Sequence, residues 1–248
     1  MFAEELEMRR HLSSVTLTNG VLTVIGTQGN DQISIRRGST TQLTVYLNGN
    51  LTSKPISKIR SIIINARLGD DLIGVNDTFG PVPFAILARG GGGKDSMFGG
   101  DLADTLIGGD GDDSLVGGLG SDSIEGNAGN DSIFCGSGND TADGGADRDS
   151  ILGDAGRDYI RGGAGNDVLE GGLGNDRIFG GDGNDNIMDS SGHDLLVGGN
   201  GEDDLNGAAG DDTIYGGAGN DDLEGEDDGD VMRDYNAQDH GPNIIDTQ

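Results

Sequence analysis

A nonapeptide repeat constrains the fold of this 248-residue chain more than any other feature. Sixteen consecutive segments of nine residues run from residue 90 to residue 233 without a change of frame. Position eight of the repeat is Leu, Ile or Met in every segment but one, where Ala142 stands. Position six is always aspartate: Asp95, Asp104, Asp113, Asp122, Asp131, Asp140, Asp149, Asp158, Asp167, Asp176, Asp185, Asp194, Asp203, Asp212, Asp221 and Asp230. A strict internal period of this kind predicts a solenoid in which each repeat stacks on its neighbours.

Two regions of unlike composition meet near residue 89. Residues 1–89 carry nine Lys and Arg against seven Asp and Glu, whereas residues 90–248 carry six against 37, a net charge of −31. This charge argues against nucleic acid and anionic membranes as partners, because like charges repel, and it favours cations. Leu, Ile, Val and Phe together occupy fewer than one position in five after residue 89, a content typical of chains that do not bury a stable core. We therefore expect the repeats to be disordered without metal.

The charge pattern itself predicts bound metal ions. Carboxylates stacked at one strand spacing, about 4.8 Å, repel one another unless cations lie between them. Six Lys and Arg are too few for that purpose, so metal ions must supply the positive charge. Carboxylate and carbonyl oxygens are hard ligands that suit Ca²⁺. The glycines permit loops with positive φ, and three-residue segments such as 168–170 are expected to form short strands whose middle side chain points inward.

The repeat resembles the Gly-Gly-x-Gly-x-Asp-x-U-x nonapeptide of the repeats-in-toxin (RTX), or hemolysin-type, calcium-binding proteins, in which U is a large apolar residue. Eight copies have all three glycines, namely those with Asp95, Asp113, Asp122, Asp167, Asp176, Asp185, Asp203 and Asp221. The resemblance implies an all-β fold, a parallel β-roll that forms a right-handed solenoid with about 18 residues per turn.

The same resemblance implies where calcium binds. Each Ca²⁺ is expected between two successive loops on one edge of the roll, held by aspartate carboxylates and loop carbonyls. Two edges of eight loops leave room for about fourteen ions at most. The metal ligands predicted in this way are Asp95, Asp113, Asp122, Asp131, Asp149, Asp158, Asp167, Asp176, Asp185, Asp203, Asp212 and Asp221.

Some loops depart from the glycine pattern, and Asp104, Asp140, Asp194 and Asp230 are left out of this ligand set; before Asp230, Asp228 takes the fourth position. Leu102 takes the fourth position of its repeat, where a bulky residue is hard to place at positive φ. Cys135 replaces the first glycine before Asp140, and Asp189 with Ser190 replaces both leading glycines before Asp194. We expect weak or empty sites at such loops.

Residues 15–89 are predicted to be rich in β-structure, with alternating stretches such as "VLTVIG" and "QISIRR" between Asn-Gly and Gly-Asn turn signals. Two pieces, "GTQGNDQIS" and "LGDDLIG", resemble the repeat outside its frame. We expect a cap or docking section for the β-roll, with a separate β-sandwich as the alternative. The predicted boundaries are 1–14 for an export-associated motif, 15–89 for this section, 90–233 for the repeats and 234–248 for a tail.

The motifs of the sequence favour a binding protein over an enzyme. His11, His193 and His240 do not form a metal-ligand spacing, and neither a His-Glu-x-x-His nor a Gly-x-Ser-x-Gly motif occurs. Residues 1–14 lack a secretory signal but resemble a short export-associated element, with Leu6 and Glu7 at its start. We predict a secreted or cell-surface calcium-binding protein with a structural or adhesive role. The alternative is an accessory module that binds or processes carbohydrate, of the β-solenoid lyase or epimerase type.

Overall fold

The computed structural model describes residues 13–76, 80–226, 229–234 and 243–244. Within these residues the chain is almost entirely β-structure, with one short 3₁₀ helix at Ile56–Lys58. The first strands are β1 (Ser14–Thr18), β2 (Val21–Ile25), β3 (Gln32–Arg37), β4 (Gln42–Leu47), β5 (Asn50–Pro55), β6 (Ser61–Leu68), β7 (Leu72–Asn76), β8 (Ile86–Gly92), β9 (Ser96–Gly100), β10 (Thr105–Asp110), β11 (Ser114–Leu119) and β12 (Ser123–Ala128). The others are β13 (Ser132–Gly138), β14 (Thr141–Ala146), β15 (Ser150–Gly156), β16 (Tyr159–Ala164), β17 (Val168–Gly174), β18 (Arg177–Asp182), β19 (Asn186–Met188), β20 (Leu195–Asn200), β21 (Asp204–Asn206), β22 (Thr213–Ala218), β23 (Asp222–Glu224), β24 (Val231–Asp234) and β25 (Asn243–Ile244). The predicted all-β class is confirmed.

The chain divides into two compact units, residues 1–123 and residues 124–248. In the first unit, strands β1-β2-β6-β8-β10 form one sheet, which we call sheet 1A. Strands β5-β4-β3-β7-β9-β11 form the other, sheet 1B. Successive strands of the repeat alternate between the two sheets, which is the topology expected of a solenoid.

Parallel pairing in the first unit follows the repeat and then departs from it toward the N-terminus. Leu106 pairs with Ala88 and Leu115 with Met97, and in both cases the offset is two nonapeptides. Ile86 pairs with Ile62 at an offset of 24. Between β6 and β2 the offset is 40, and it is 40 again between β7 and β3. The early turns are therefore longer than the later ones, although the strands still pair in parallel.

Antiparallel strands lie at the N-terminal edges of both sheets in this unit. Strand β1 pairs antiparallel with β2 at the edge of sheet 1A. Strand β4 pairs antiparallel with both β3 and β5, and β5 forms the edge of sheet 1B. The predicted β-rich N-terminal section is confirmed, and its strands belong to the same two sheets as β8–β11. The domain boundaries at residues 14, 89 and 233 stay a prediction.

The second unit keeps a turn of two nonapeptides throughout its parallel pairs. Sheet 2A contains β12, β14, β16, β18, β20, β22, β24 and β25 in that order, and sheet 2B contains the odd strands β13 to β23. Ile160 pairs with Ile178 in sheet 2A, and Ile151 pairs with Leu169 in sheet 2B. These registers confirm the predicted parallel β-roll.

Position eight of the repeat forms the core between the two sheets. All of its side chains except the half-buried Leu223 are at most 2 % exposed: Met97, Leu106 and Leu115 in the first unit, and Ile124, Ile133, Ala142, Ile151, Ile160, Leu169, Ile178, Ile187, Leu196, Leu205, Ile214 and Met232 in the second. Successive side chains of a strand point to opposite faces, so positions seven and nine face outward. One large apolar residue per nonapeptide is therefore enough to fill the space between the sheets.

The loops stack so closely that a Cβ would clash at two of their glycine positions. Gly163 and Gly165, at positions two and four, have φ of +114° and +153°. A Cβ on Gly163 would lie 2.2 Å from the carbonyl oxygen of Gly145, one turn earlier, and a Cβ on Gly165 would lie 1.8 Å from that of Asp147. Leu102, by contrast, is not among the residues with positive φ, and its side chain is 39 % exposed. Its loop takes another backbone path, so the strain expected at Leu102 does not arise.

Several sequence-based predictions lie outside the described residues. These are nearly all of the export-associated motif at residues 1–14, most of the tail at 234–248, and the histidines His11 and His240. No helix long and apolar enough to cross a membrane occurs in the part of the chain that the structure describes.

Candidate metal centres

The sixth-position aspartates form ladders along the loop edges of each unit. The carboxylate Oδ1 of a ladder residue typically accepts a hydrogen bond from the backbone N–H of the aspartate one turn earlier, although Asp104 Oδ1 accepts from Ile86 N–H. Asp149 donates in this way to Asp167 at 2.8 Å, and Asp167 donates to Asp185 at 2.9 Å. On the other edge Asp140 donates to Asp158 at 2.8 Å, and Asp158 donates to Asp176 at 2.7 Å. The regular turn thus brings together carboxylates that are far apart in sequence.

In most of these aspartates, and also in Asp71 and Asp189, the second carboxylate oxygen is buried and accepts no hydrogen bond from the protein. Asp158, Asp167 and Asp176 are each 1 % exposed, although they carry ionisable groups. The Oδ2 atoms concerned are those of Asp71, Asp95, Asp149, Asp158, Asp167, Asp176, Asp185, Asp189, Asp194, Asp203, Asp212, Asp221 and Asp230. Buried polar atoms normally have a partner, because leaving such a group unsatisfied costs about 1–3 kcal/mol, and more when the group is charged. A column of such oxygens is the environment that a bound cation would satisfy.

The first glycine of each repeat makes room for this oxygen. A Cβ built on Gly162 would lie 2.3 Å from Oδ2 of Asp167, and one on Gly180 would lie 2.2 Å from Oδ2 of Asp185. These glycines do not have positive φ, so their conformation alone would allow other residues. They are needed because the carboxylate occupies the volume of a side chain.

Burial raises the pKa of these carboxyl groups. The pKa of Asp149 and of Asp158 rises to about 7, and that of Asp185 and of Asp212 to about 6. The main cause is desolvation, which disfavours the charged form, and neighbouring carboxylates of the ladder add to it. The backbone N–H of the preceding aspartate acts in the opposite direction. In a metal-free chain the ladders therefore hold protons more strongly than free aspartates do.

The donor set selects the kind of ion. The ladders present carboxylate oxygens, and the stacked glycine loops bring backbone carbonyls close to them. Hard oxygen ligands of this kind suit Ca²⁺, which accepts six to eight of them in flexible geometry.

Comparison with protein families agrees with this chemistry. The family model for the RTX calcium-binding nonapeptide repeat matches residues 88–106, 107–142, 136–169, 143–178, 179–213 and 197–232. Together these segments span residues 88–232, which is more than half of the chain. The chain belongs to the RTX calcium-binding repeat family. A comparison with curated proteins gives no match.

All twelve aspartates predicted as RTX metal ligands occupy the sixth position of a β-roll loop, and each is buried or half-buried. The structure also keeps in register the four that the sequence analysis left out. Asp104 donates to Asp122 at 2.7 Å and Asp194 donates to Asp212 at 2.8 Å. Asp140 and Asp230 occupy the corresponding places on the same type of edge. An imperfect glycine pattern therefore does not displace the aspartate. Which of these carboxylates bind calcium stays a prediction.

Two further ladder residues, Asp31 and Asp71, lie in the N-terminal section of the RTX chain. Asp31 N–H donates to Asp71 at 2.6 Å, and Asp71 N–H donates to Asp95 at 2.8 Å. A Cβ on Gly26 would lie 2.4 Å from Oδ2 of Asp31, which is the contact seen at the first position of the repeats. The out-of-frame pieces "GTQGND" and "LGDD" carried the signal for these residues. Sequence reasoning did not place them because their spacing differs from that of the regular turn.

A second ladder runs along position five of the repeat, where asparagine is common. Arg157 N–H donates to Oδ1 of Asn139 at 2.8 Å, and His193 N–H donates to Oδ1 of Asn175 at 3.3 Å. His193 is exposed, and its Nδ1 accepts from Asp211 N–H at 3.1 Å. His193 therefore substitutes for asparagine as an acceptor.

Proposed function

We propose that this protein is a secreted calcium-binding β-roll that folds when Ca²⁺ enters its aspartate ladders, with a structural or adhesive role and no catalytic activity. The observation that carries the proposal is the set of buried Oδ2 atoms named above that have no hydrogen-bond donor, since a folded metal-free chain would retain this cost at each of them. The ligands would be the sixth-position aspartates predicted above, together with loop carbonyls, and about fourteen ions would offset most of the charge of −31.

Secretion agrees with the expected affinity. Extracellular calcium modules bind with dissociation constants of about 10⁻⁴ to 10⁻³ M, far above cytosolic calcium. Because no site exists in the unfolded chain, the free energy of metal binding becomes free energy of folding. The chain would then stay unfolded inside a cell and fold outside it.

Circular dichroism during a calcium titration tests the proposal. We expect little β signal in excess chelator and a cooperative gain of β signal at submillimolar to millimolar calcium, with Mg²⁺ at equal concentration as the control. A strong β signal in chelator would contradict calcium-dependent folding. Folding at nanomolar calcium would contradict the extracellular assignment.

The outward face of sheet 2A favours an adhesive role toward carbohydrate. The rings of Tyr159 and Phe179 lie 5.3 Å apart between centroids. Arg161 donates to the hydroxyl of Tyr159 at 2.6 and 2.9 Å, and Arg233 lies 6.0 Å from the centre of the Tyr215 ring. Aromatic rings offer flat apolar surfaces for stacking, and guanidinium groups pair with carboxylate or sulfate groups.

The two outward faces of the second unit differ in charge. Sheet 2A has arginines at Arg161, Arg177 and Arg233, among only five in residues 124–248. Sheet 2B presents exposed acidic residues in the same rows, among them Asp204, Asp222 and Glu224. In so acidic a protein, a basic aromatic face is suited to an acidic glycan.

Binding to acidic and neutral glycans, measured on the calcium-loaded protein, tests this second role. We expect acidic glycans to bind and Tyr215→Ala to weaken binding about tenfold or more, as for a central interface residue. Phe134→Ala, which removes a 38 %-exposed ring from sheet 2B, is the matched control and should leave binding unchanged. Equal loss in both variants, or no glycan binding, would contradict a carbohydrate site on sheet 2A.

A further inference from the structure

The repeat containing Asp194 differs from the others in the residue at its first position. Fourteen of the sixteen repeats begin with glycine, whose missing side chain leaves room for the ladder carboxylate. Here the first residue is Asp189. A carboxylate side chain is therefore present where fourteen other repeats have only the hydrogen atom of glycine. In a regular repeat, the first position supplies no metal ligand.

The fold brings Asp189 together with two members of one ladder. Asp176, Asp189 and Asp194 each have one carboxylate oxygen that lies within 4.8 Å of those of the other two, and all three side chains are buried. A Cβ on Gly171, one turn before Asp189, would lie 2.8 Å from Oδ1 of Asp189 and 3.0 Å from Oδ2 of Asp176. The three groups thus converge on one small volume inside the second unit.

Backbone donors satisfy only one oxygen of each carboxylate. Oδ1 of Asp189 accepts from the N–H groups of Gly172 at 2.8 Å and of Ser190 at 2.7 Å. Oδ1 of Asp194 accepts from Asp176 N–H at 2.6 Å. The Oδ2 atoms of all three have no hydrogen-bond partner, and Asp189 as a whole is only 7 % exposed. Three buried anionic oxygens without donors require a positive charge between them or a shared proton.

An open groove of about 840 Å³ lies beside the cluster, and Asp176 and Asp194 contribute to its lining along with Asn175 and His193. The three Oδ2 atoms are themselves buried. An ion would therefore bind as the loops fold around it, which is expected when metal binding is coupled to folding.

We propose that Asp176, Asp189 and Asp194 form a three-carboxylate cation site that binds Ca²⁺ more tightly than the regular gaps between repeats. The proposal rests on calcium binding by the ladders and adds to it a ligand that the repeat does not supply. A third carboxylate increases the negative charge facing the ion, and ligand charge is one of the quantities that set calcium affinity. A loop that has lost two of the three repeat glycines therefore holds the strongest site.

Crystals of the full chain, grown in saturating calcium and then soaked in limiting calcium, test the site directly. Anomalous density should persist longest at Asp176, Asp189 and Asp194, corresponding to an affinity about tenfold or more above that of neighbouring gaps. Asp189→Gly restores the residue found in fourteen repeats, and we expect it to lower this occupancy to the level of the neighbours. Asp101→Gly, which removes an exposed carboxylate from the first unit, should have no effect on it.

Asp189→Asn separates a bound ion from a shared proton. Asparagine keeps the size of a neutral carboxyl group but lacks the charge, so we expect the same loss of occupancy as with glycine. Wild-type occupancy in Asp189→Asn or Asp189→Gly would overturn the proposal. So would density at neighbouring gaps with none at the cluster in the wild-type crystal, whatever the variants do. Absence of density at every loop would instead contradict calcium binding by the ladders as a whole.

Discussion

In the repeats that begin with glycine, the carboxylate from position six lies where a side chain of the first residue would otherwise be. The glycine there has an ordinary backbone conformation, so its role is to leave space, whereas the glycines at positions two and four permit positive φ. The repeat therefore needs glycine for two different physical reasons. Where the first glycine is lost at Asp189, the space is taken by another carboxylate, whose pKa burial and the adjacent Asp194 raise to about 9.

Replacing one such glycine should weaken calcium-dependent folding. In Gly162→Ala the new methyl group would lie 2.3 Å from Oδ2 of Asp167 and 2.8 Å from the carbonyl oxygen of Gly180. We expect the carboxylate to be displaced, the folded state to lose about 1–3 kcal/mol, and the calcium midpoint to rise. The midpoint from circular dichroism measures the effect.

Gly29→Ala is the control for this substitution, because a Cβ at Gly29 meets no atom within 4 Å. It should leave the calcium midpoint where it is in the wild type. A Gly162→Ala chain that folds at the wild-type calcium concentration would show that the carboxylate does not need this space.

Among the strands of the first unit, the length of a turn varies while the pairing of strands is kept. The turns linking β2 to β6 and β3 to β7 are more than twice as long as the regular turn, and the antiparallel strands β4 and β5 lie within both. The inward Val24, Ile64 and Ala88 still lie in one row of sheet 1A and are fully buried. Extra residues are accommodated outside this row because parallel pairing constrains the strands and not the connections between them.

For the whole molecule, the raised pKa values make stability depend on pH and on metal together. The pKa of Asp71, Asp149 and Asp158 is about 7 in the folded chain, against an ordinary value near 3.9. Between these values the folded state binds more protons than the unfolded state does. In the absence of metal, folding is therefore favoured as the pH falls toward 4 and disfavoured as it rises through about 7.

We expect the metal-free chain to gain β signal when the pH is lowered from 7.5 to 5.5 in excess chelator. In the presence of calcium, acidification should instead oppose folding. Protons compete with Ca²⁺ for the same oxygens, so the calcium midpoint should rise as the pH falls. Circular dichroism at several pH values, each with a calcium titration, measures both. A metal-free signal that decreases on acidification, or a calcium midpoint independent of pH, would contradict this account.

The resemblance to the RTX repeat implied the parallel β-roll, and the amino-acid sequence by itself determined the period, the core residue at position eight and the aspartates at position six. These follow from local pattern, because a nine-residue period places chemically equal residues at equal places in every turn. It also contained the motifs around Asp31 and Asp71, although not their membership of the ladder. That membership depends on which strands pair across the longer, irregular turns of the first unit.

Only the tertiary structure decided what the irregular positions do. That Leu102 avoids positive φ depends on the path of its loop against neighbouring turns. Asp189 meets Asp176 and Asp194 because loops two nonapeptides apart stack on one another. From the pattern alone, Asp189 was only a departure from the repeat. The sequence shows which repeat residue has been replaced at such a position. It does not show which side chains the new residue contacts, because those neighbours are set by the stacking of loops in three dimensions.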